Sequence, residues 1–171
     1  DTERFGFSVS ATTREVRENE IPGVHYYYIT KEEFRKRIAD GDFLEYAFVH
    51  GNFYGTLKSE VDKIRESGKH VILDIDVQGS ELVRKATDEA VHIMLAPPTL
   101  SALEARLRGR GTETEEQIQI RLGKAADELS RIGEFDYCVI NDVPEVAIEE
   151  VKSIITAEER KTAYCSDDVK A

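Results

Sequence analysis

An α/β fold with a parallel sheet is the architecture this sequence predicts. Three observations carry the prediction. Short apolar, strand-like runs recur at VILDI (71–75), HIMLA (92–96) and YCVI (137–140). Segments of helical spacing separate them, and that alternation is the mark of strands joined by crossover helices. Polar residues then gather where the runs end: Asp74 and Asp76, Pro97, and Asn141 with Asp142. Parallel sheets bind ligands outside the carboxyl ends of their strands, so the function is expected on that edge.

The elements follow in order. FGFSVS (5–10) reads as a short strand. Residues 11–28 are polar and punctuated by Gly and Pro, with Tyr26 to Ile29 extended. Thr30 and Glu33 spell a capping box that opens a helix on Phe34 and Ile38, closing near Gly41. FLEYAFV (43–49) is strand-like, GNFYGT (51–56) a tight turn, and Leu57, Val61 and Ile64 have helical spacing up to Gly68. HVILDIDVQG is a buried strand with acids at its end, followed by a short helix around Glu81 to Ala86. AVHIMLAPP is a second buried strand, closed by Pro97 and Pro98. Leu100, Leu103 and Leu107 give a helix, GRGTETEE (109–116) a polar loop, and Ile118, Leu122, Ala125, Leu129 and Ile132 one face of a long helix. YCVIND is a third buried strand. Pro144 starts the last helix, with Ile148, Val151 and Ile155 inward, and the tail from Thr162 is expected to fray.

Composition bounds the function. A chain of 171 residues is one domain with a sizeable core. Its net charge of −11 argues against a general nucleic-acid or anionic-membrane binder. Local arginine clusters still permit a small anionic ligand. Cys138 and Cys165 form no metal pattern, and Cys138 lies in an apolar run where burial is expected. The four histidines are scattered, Met94 reads as core filler, and no apolar run reaches the roughly 18 residues of a membrane span. A reducing, cytoplasmic setting fits.

Several side chains carry chemistry. Arg14 and Arg17, three apart, offer planar bidentate donors for a phosphate, and Tyr26 and Tyr54 could add hydroxyls. Solvated surface arginines and core tyrosines fit the same spacing. Glu45, an isolated acid on a strand, would accept the adjacent N1–H and N2–H donors of guanine, with Ser10 or Thr56 reaching O6 or N7. From pattern alone, an outward-facing acid is the more frequent case. Asp74 and Asp76 are two apart on one strand and so share a face, suiting ribose hydroxyls or an indirect Mg²⁺ shell. A helix cap plus a turn residue is the other reading. Arg106, Arg108 and Arg110 precede a glycine-bounded loop, and Arg121 lies on the next helix. Such arginines can close over transferring phosphates or complement a helix C-terminus.

Together these segments resemble guanylate kinase. SATTREVRENEIPGVHYYYIT is similar to that family's signature segment. GNFYGT, LDIDVQG, APP, GRGTETEE and VIND resemble its later blocks in the same order. The resemblance runs from Phe5 to about Lys161. It implies the P-loop nucleoside monophosphate kinase core, and ATP-dependent phosphorylation of GMP to GDP with Mg²⁺. It implies GMP-phosphate ligands at Arg14, Arg17, Tyr26 and Tyr54, and guanine readers at Ser10, Glu45 and Thr56. Asp74 and Asp76 match acids near the ribose and metal, with no direct metal ligand and Asp76 as an outer-shell candidate. Arg110 and Arg121 match lid and catalytic arginines, Arg106 is a further ATP-side candidate, and Asn141 matches a residue near the adenine. Residues 10–66 would form the GMP-binding subdomain and 100–117 the lid.

One family feature is not in the chain. Members begin with a central strand, a glycine-rich phosphate loop and a helix, and no G-x-x-x-x-G-K-[ST] occurs here. The expectation is therefore a kinase whose phosphate loop and central strand are supplied upstream of Asp1 or by another segment. A non-catalytic guanylate-kinase-like scaffold domain and a GMP-binding fragment are the alternatives. Retention of the whole GMP set favours the enzyme.

Overall fold

The structure is a computed structural model that describes residues 3–49, 51–110 and 114–162, apart from the side chain of Arg110. His50, residues 111–113 and Cys165, with the predicted tail beyond Thr162, fall outside the described residues. The chain divides into two compact units, residues 1–90 and 91–171.

In the first unit, β1 (Phe5–Phe7) pairs in parallel with β6 (His70–Ile72). The remaining strands are β2 (Ala11–Thr12), β3 (Tyr27–Tyr28), β4 (Phe43–Val49) and β5 (Asn52–Leu57). They form a four-stranded sheet in the order β3-β2-β5-β4, parallel only between β2 and β3. GNFYGT is thus mostly strand rather than turn. Its residues form β5, because β4 and β2 each supply a ladder partner. The helices are α1 (Lys31–Asp40), α2 (Lys58–Glu66) and α3 (Val77–Ala86). Thr30 caps α1 by accepting from the Glu33 amide at 3.1 Å. The reciprocal half of the expected box does not form, since Glu33 pairs with Arg37 one turn on. Gly41, with φ at 75°, ends α1 in the left-handed region that suits a residue without Cβ.

A bulge in β4 organises this unit. Phe43 pairs with Leu57 but Glu45 pairs with Thr56, so the register shifts between them. Neighbouring residues on β5 face opposite ways. Phe43 and Glu45 therefore lie on opposite faces, although strict alternation would place them together. One face collects aromatics. Phe34 of α1 stacks on Phe43 at 4.3 Å and on Phe53 at 5.1 Å, and Ala11 and Leu57 complete the buried cluster. The other face carries Glu45, Thr56, Tyr54, Thr12 and Tyr28.

The second unit pairs β7 (Ile93–Ala96) with β8 (Tyr137–Ile140) in parallel. Around them run α4 (Leu100–Arg110), α5 (Glu115–Ser130) and α6 (Pro144–Glu159). Thr114 and Gln117 form a reciprocal capping box at the start of α5. The His92 amide donates to Asp136 at 2.8 Å and the Tyr137 hydroxyl to Glu158 at 2.6 Å, tying the start of β7 and the end of α6 to the start of β8.

Three burial expectations are corrected. Cys138 is exposed, because alternation along β8 turns Val139 inward and leaves Cys138 and Ile140 outward. Ile148 is exposed while its neighbour Ala147 is the buried residue of α6. The 70–76 strand is shorter than expected: it stops at Ile72, itself exposed, and residues 73–76 leave the ladder before α3 begins.

Candidate functional site

The polar face of the four-stranded sheet gathers most of the sequence-predicted residues into two corners. Tyr54 and Thr56 are two apart on β5, so they project from one face about 7 Å apart. Tyr54 anchors one corner and Thr56 the other.

The first corner is cationic and aromatic. Arg14 follows β2, and its amide donates to the Thr12 hydroxyl at 3.2 Å. Its guanidinium lies 5.5 Å from the Tyr26 ring centre and 5.8 Å from that of Tyr28. Tyr26 meets Tyr54 edge to face at 6.0 Å. Arg14 grips Glu20 by two hydrogen bonds of 2.7 and 2.9 Å. That carboxylate, more than the nearby Tyr54 hydroxyl, holds the arginine charge firmly. Glu20 is in turn held down to about 2, first by Arg14 and then by the Arg17 amide. Burial, and then the charge of Asp74, push the Tyr26 phenol up, which places Asp74 within electrostatic reach of this corner. Arg17 is exposed, and its guanidinium has no ion pair or hydrogen bond among the described residues.

The second corner is buried. Glu45 is 5 % exposed. Its carboxylate accepts from the Thr56 hydroxyl at 2.6 Å. Burial pushes its pKa up, against the Thr56 bonds, and the charge of Asp76 adds to the rise. Among the described residues no cation pairs with it. Helix α3 closes over this carboxylate. A Cβ on Gly79 would sit 2.8 Å from Glu45 Oε2, so only glycine allows this approach. Asp76 is the N-cap of α3, accepting from the Gly79 amide at 2.9 Å. Asp74 is exposed. The two acids therefore do not share a strand face, because the chain leaves β6 before reaching them. Ser10, half-buried before β2, uses its carbonyl to accept from the Tyr27 amide at 2.9 Å.

In the second unit, Arg106 and Asn141 come together. The Arg106 guanidinium donates to the Asn141 carbonyl at 2.6 Å and to the Asp142 carbonyl and carboxylate, pinning α4 to the end of β8. Arg108 is held by Glu104 and Glu115. Arg121 is exposed on α5, and the side chain of Arg110 lies outside the described residues.

Sequence reasoning missed Glu20 and Gly79, and singled out Tyr26 rather than Tyr28 from the run of three tyrosines. Glu20 had a local signal: it lies three residues after Arg17, across an Asn that tolerates left-handed backbone. Gly79 had none, because its neighbour Glu45 is distant in sequence.

A family model described as guanylate kinase matches residues 1–158. The guanylate kinase of Clostridium tetani is 44 % identical over 165 residues, covering 96 % of this chain and 79 % of that protein. That of Thermotoga maritima is 46 % identical over 164 residues, with the same coverages. Guanylate kinase 1 of Oryza sativa is 48 % identical over 159 residues, covering 91 % of this chain and 42 % of that longer protein. The solved guanylate kinase of Anaplasma phagocytophilum superposes with a TM-score of 0.81 at 32 % identity, covering 94 % of this chain and 79 % of that one. That structure carries the P-loop nucleoside monophosphate kinase fold. With nearly its whole length matched in both sequence and fold, the chain belongs to the guanylate kinase family.

Proposed function

We propose that the polar face of the first unit is the acceptor site of the family's reaction. In it Arg14, Arg17, Tyr26 and Tyr54 bind the phosphate of GMP, and Ser10, Glu45 and Thr56 read its guanine. The reaction transfers the γ-phosphate of ATP to GMP, giving GDP and ADP. The scaffold alternative gains no support, since the curated relatives at 41–48 % identity are guanylate kinases.

One observation carries the reading. Glu45 is a buried carboxylate whose donors come only from Thr56 among the described residues. Such a group is costly to bury unless further donors arrive. Guanine presents N1–H and N2–H side by side, matching a carboxylate. Adenine presents an unprotonated N1 at the same edge and would leave the carboxylate facing an acceptor.

The GMP phosphate is itself the nucleophile, so no tuned general base is needed. Catalysis then consists of positioning and charge stabilisation. Arg110 and Arg121 would stabilise the transferring phosphoryl group, Arg106 and Asn141 would serve the ATP side, and residues 100–117 would act as the lid. Mg²⁺ would enter with ATP and neutralise phosphate charge when bound. It favours oxygen ligands and retains waters. The exposed Asp74 fits a water-mediated contact, whereas Asp76 commits one oxygen to the α3 cap. A cytoplasmic setting remains part of this reading; no described helix is long and apolar enough to cross a membrane.

A coupled assay of ADP release with GMP or AMP as acceptor tests the guanine role. Glu45→Gln should erode the preference for GMP by about 1–3 kcal/mol, the range for a charged hydrogen bond. Unchanged discrimination would remove Glu45 from that role.

A further inference from the structure

We infer that Glu20 is the positioning residue of the phosphate corner. Its carboxylate occupies the end-on face of the Arg14 guanidinium and so presents the side-on Nε–Nη2 face to the phosphate of GMP. The inference rests on the acceptor-site reading above.

Donor and acceptor counting leads to it. Arg14 has five N–H donors. Both Nη1 hydrogens are committed, one to Glu20 Oε2 at 2.9 Å and one to the Glu15 carbonyl at 2.7 Å. One Nη2 hydrogen goes to Glu20 Oε1 at 2.7 Å. The two remaining donors are Nε–H and the second Nη2–H. They lie along one edge and form the second bidentate fork of a guanidinium, which matches two phosphate oxygens. The Tyr54 hydroxyl also acts on Arg14.

Glu20 is built for this role rather than for competing with the substrate. A carboxylate has about four acceptor sites. Glu20 accepts four bonds, three at Oε2 from Arg14 Nη1, the Arg17 amide at 2.8 Å and the Tyr28 hydroxyl at 2.7 Å, and one at Oε1 from Arg14 Nη2, so a single Oε1 lone pair is left over. The chain is bent to bring it there. The Glu20 amide donates to the Arg17 carbonyl at 3.1 Å, with Asn19 at φ 70°. Tyr26 and Tyr28 flank the guanidinium, and the Arg14 side chain is only 13 % exposed, so the arginine cannot swing to another pose without leaving both rings. Tyr28, the third of the three consecutive tyrosines, thereby gains a function: it orients the residue that orients the arginine.

The test separates phosphate from base. Binding of GMP and of guanosine to the full chain is measured for wild type, Glu20→Gln and Glu20→Asp, with a thermal melt of each. Wild type should prefer GMP to guanosine. Glu20→Gln should lose GMP affinity at least about tenfold while guanosine affinity stays within about twofold, because one charge-assisted contact to the phosphate is misplaced. In turnover the loss should fall on KM for GMP more than on kcat. Glu20→Asp keeps the charge with a shorter reach, and should show the same phosphate-only loss at several-fold; it serves as the measurement should the Gln variant not fold. Unchanged or tighter GMP binding would make Glu20 neutral or a competitor and overturn the inference. Equal losses for GMP and guanosine with a lowered melt would also overturn it, since that is the mark of structural support. A wild type that binds GMP no better than guanosine would overturn the acceptor-site reading itself, and this inference with it.

Discussion

The two faces of the four-stranded sheet make opposite use of the same strands. One face is aromatic and dry: Phe34 of α1 stacks on Phe43 and Phe53, and Ala11 is fully buried. The other is polar, with a cationic corner at Arg14 and a buried acid at Glu45. The aromatic face is complete in the free chain. The polar face is not, since Glu45 has Thr56 as its source of donors and the Arg17 guanidinium has no ion pair or hydrogen bond among the described residues. The difference teaches that the packed aromatic core and the proposed recognition groups are divided between faces of one small sheet. A single bulge at Phe43–Glu45 sets the division.

The strongest way to break that division is on the dry side. Phe34→Ala should lower unfolding free energy by about 3–5 kcal/mol, the usual cost of deleting a buried phenyl ring. A denaturant titration reads it, and binding at both corners should weaken together. Arg14→Ala acts on the wet side alone. It should raise the GMP Michaelis constant by about a hundredfold, as expected for the loss of a bidentate charged contact. If it only lowers the melting temperature, Arg14 belongs to the scaffold rather than the site. Gly79→Ala sharpens the comparison within the polar face. The added methyl would press on Glu45 Oε2, so guanosine affinity should fall by about 1 kcal/mol, the lower end for overpacking. The guanosine-to-GMP affinity ratio, which reports the phosphate corner, should stay near its wild-type value.

Acidity gives the finest separation. The Glu20 pKa is depressed to about 2 from an ordinary 4.5. Its pairing with Arg14 therefore contributes stability that is full above pH 4.5 and is lost as pH falls toward 2. The Glu45 pKa is raised above 4.5 by burial. Its protonated form is the one the fold favours, so stability declines as pH rises through that raised value. In the proposed role guanine reading needs the carboxylate, so affinity should decline in the other direction, as pH falls through it. Guanosine, which has no phosphate to titrate, should bind more weakly on acidification before the Arg14–Glu20 pair is affected. The same titration on Glu45→Gln should be flat.

Much of this was legible in the chain. The alternation of strands and helices, the Thr30 cap and Pro144 were readable because they depend on neighbours within a few residues. The arginines and tyrosines of the cationic corner were readable as chemistry and as a family pattern. The Thr114–Gln117 box is also spelled locally, as T-E-E-Q, within and just beyond the segment 109–116 that composition marks as loop. Other features were not readable. β5 looked like a turn because its strand character comes from ladder partners on β2 and β4. Cys138 looked buried because an apolar run does not say which of its faces is covered. Asp74 and Asp76 looked like one strand face because nothing in LDID announces that pairing stops at Ile72.

The sequence by itself determined the inventory: which groups can bond a phosphate or accept from a guanine, and where the local elements start and stop. Those are properties of side-chain chemistry and of backbone contacts a few residues long. Only the tertiary structure decided orientation. Strict alternation would have placed Glu45 beside Phe43 in the aromatic core. The bulge, the pairing with Thr56 and the approach of Gly79 put it on the opposite face. Facing is a long-range property, because a side chain's direction along a strand is set by its register with a partner elsewhere in the chain.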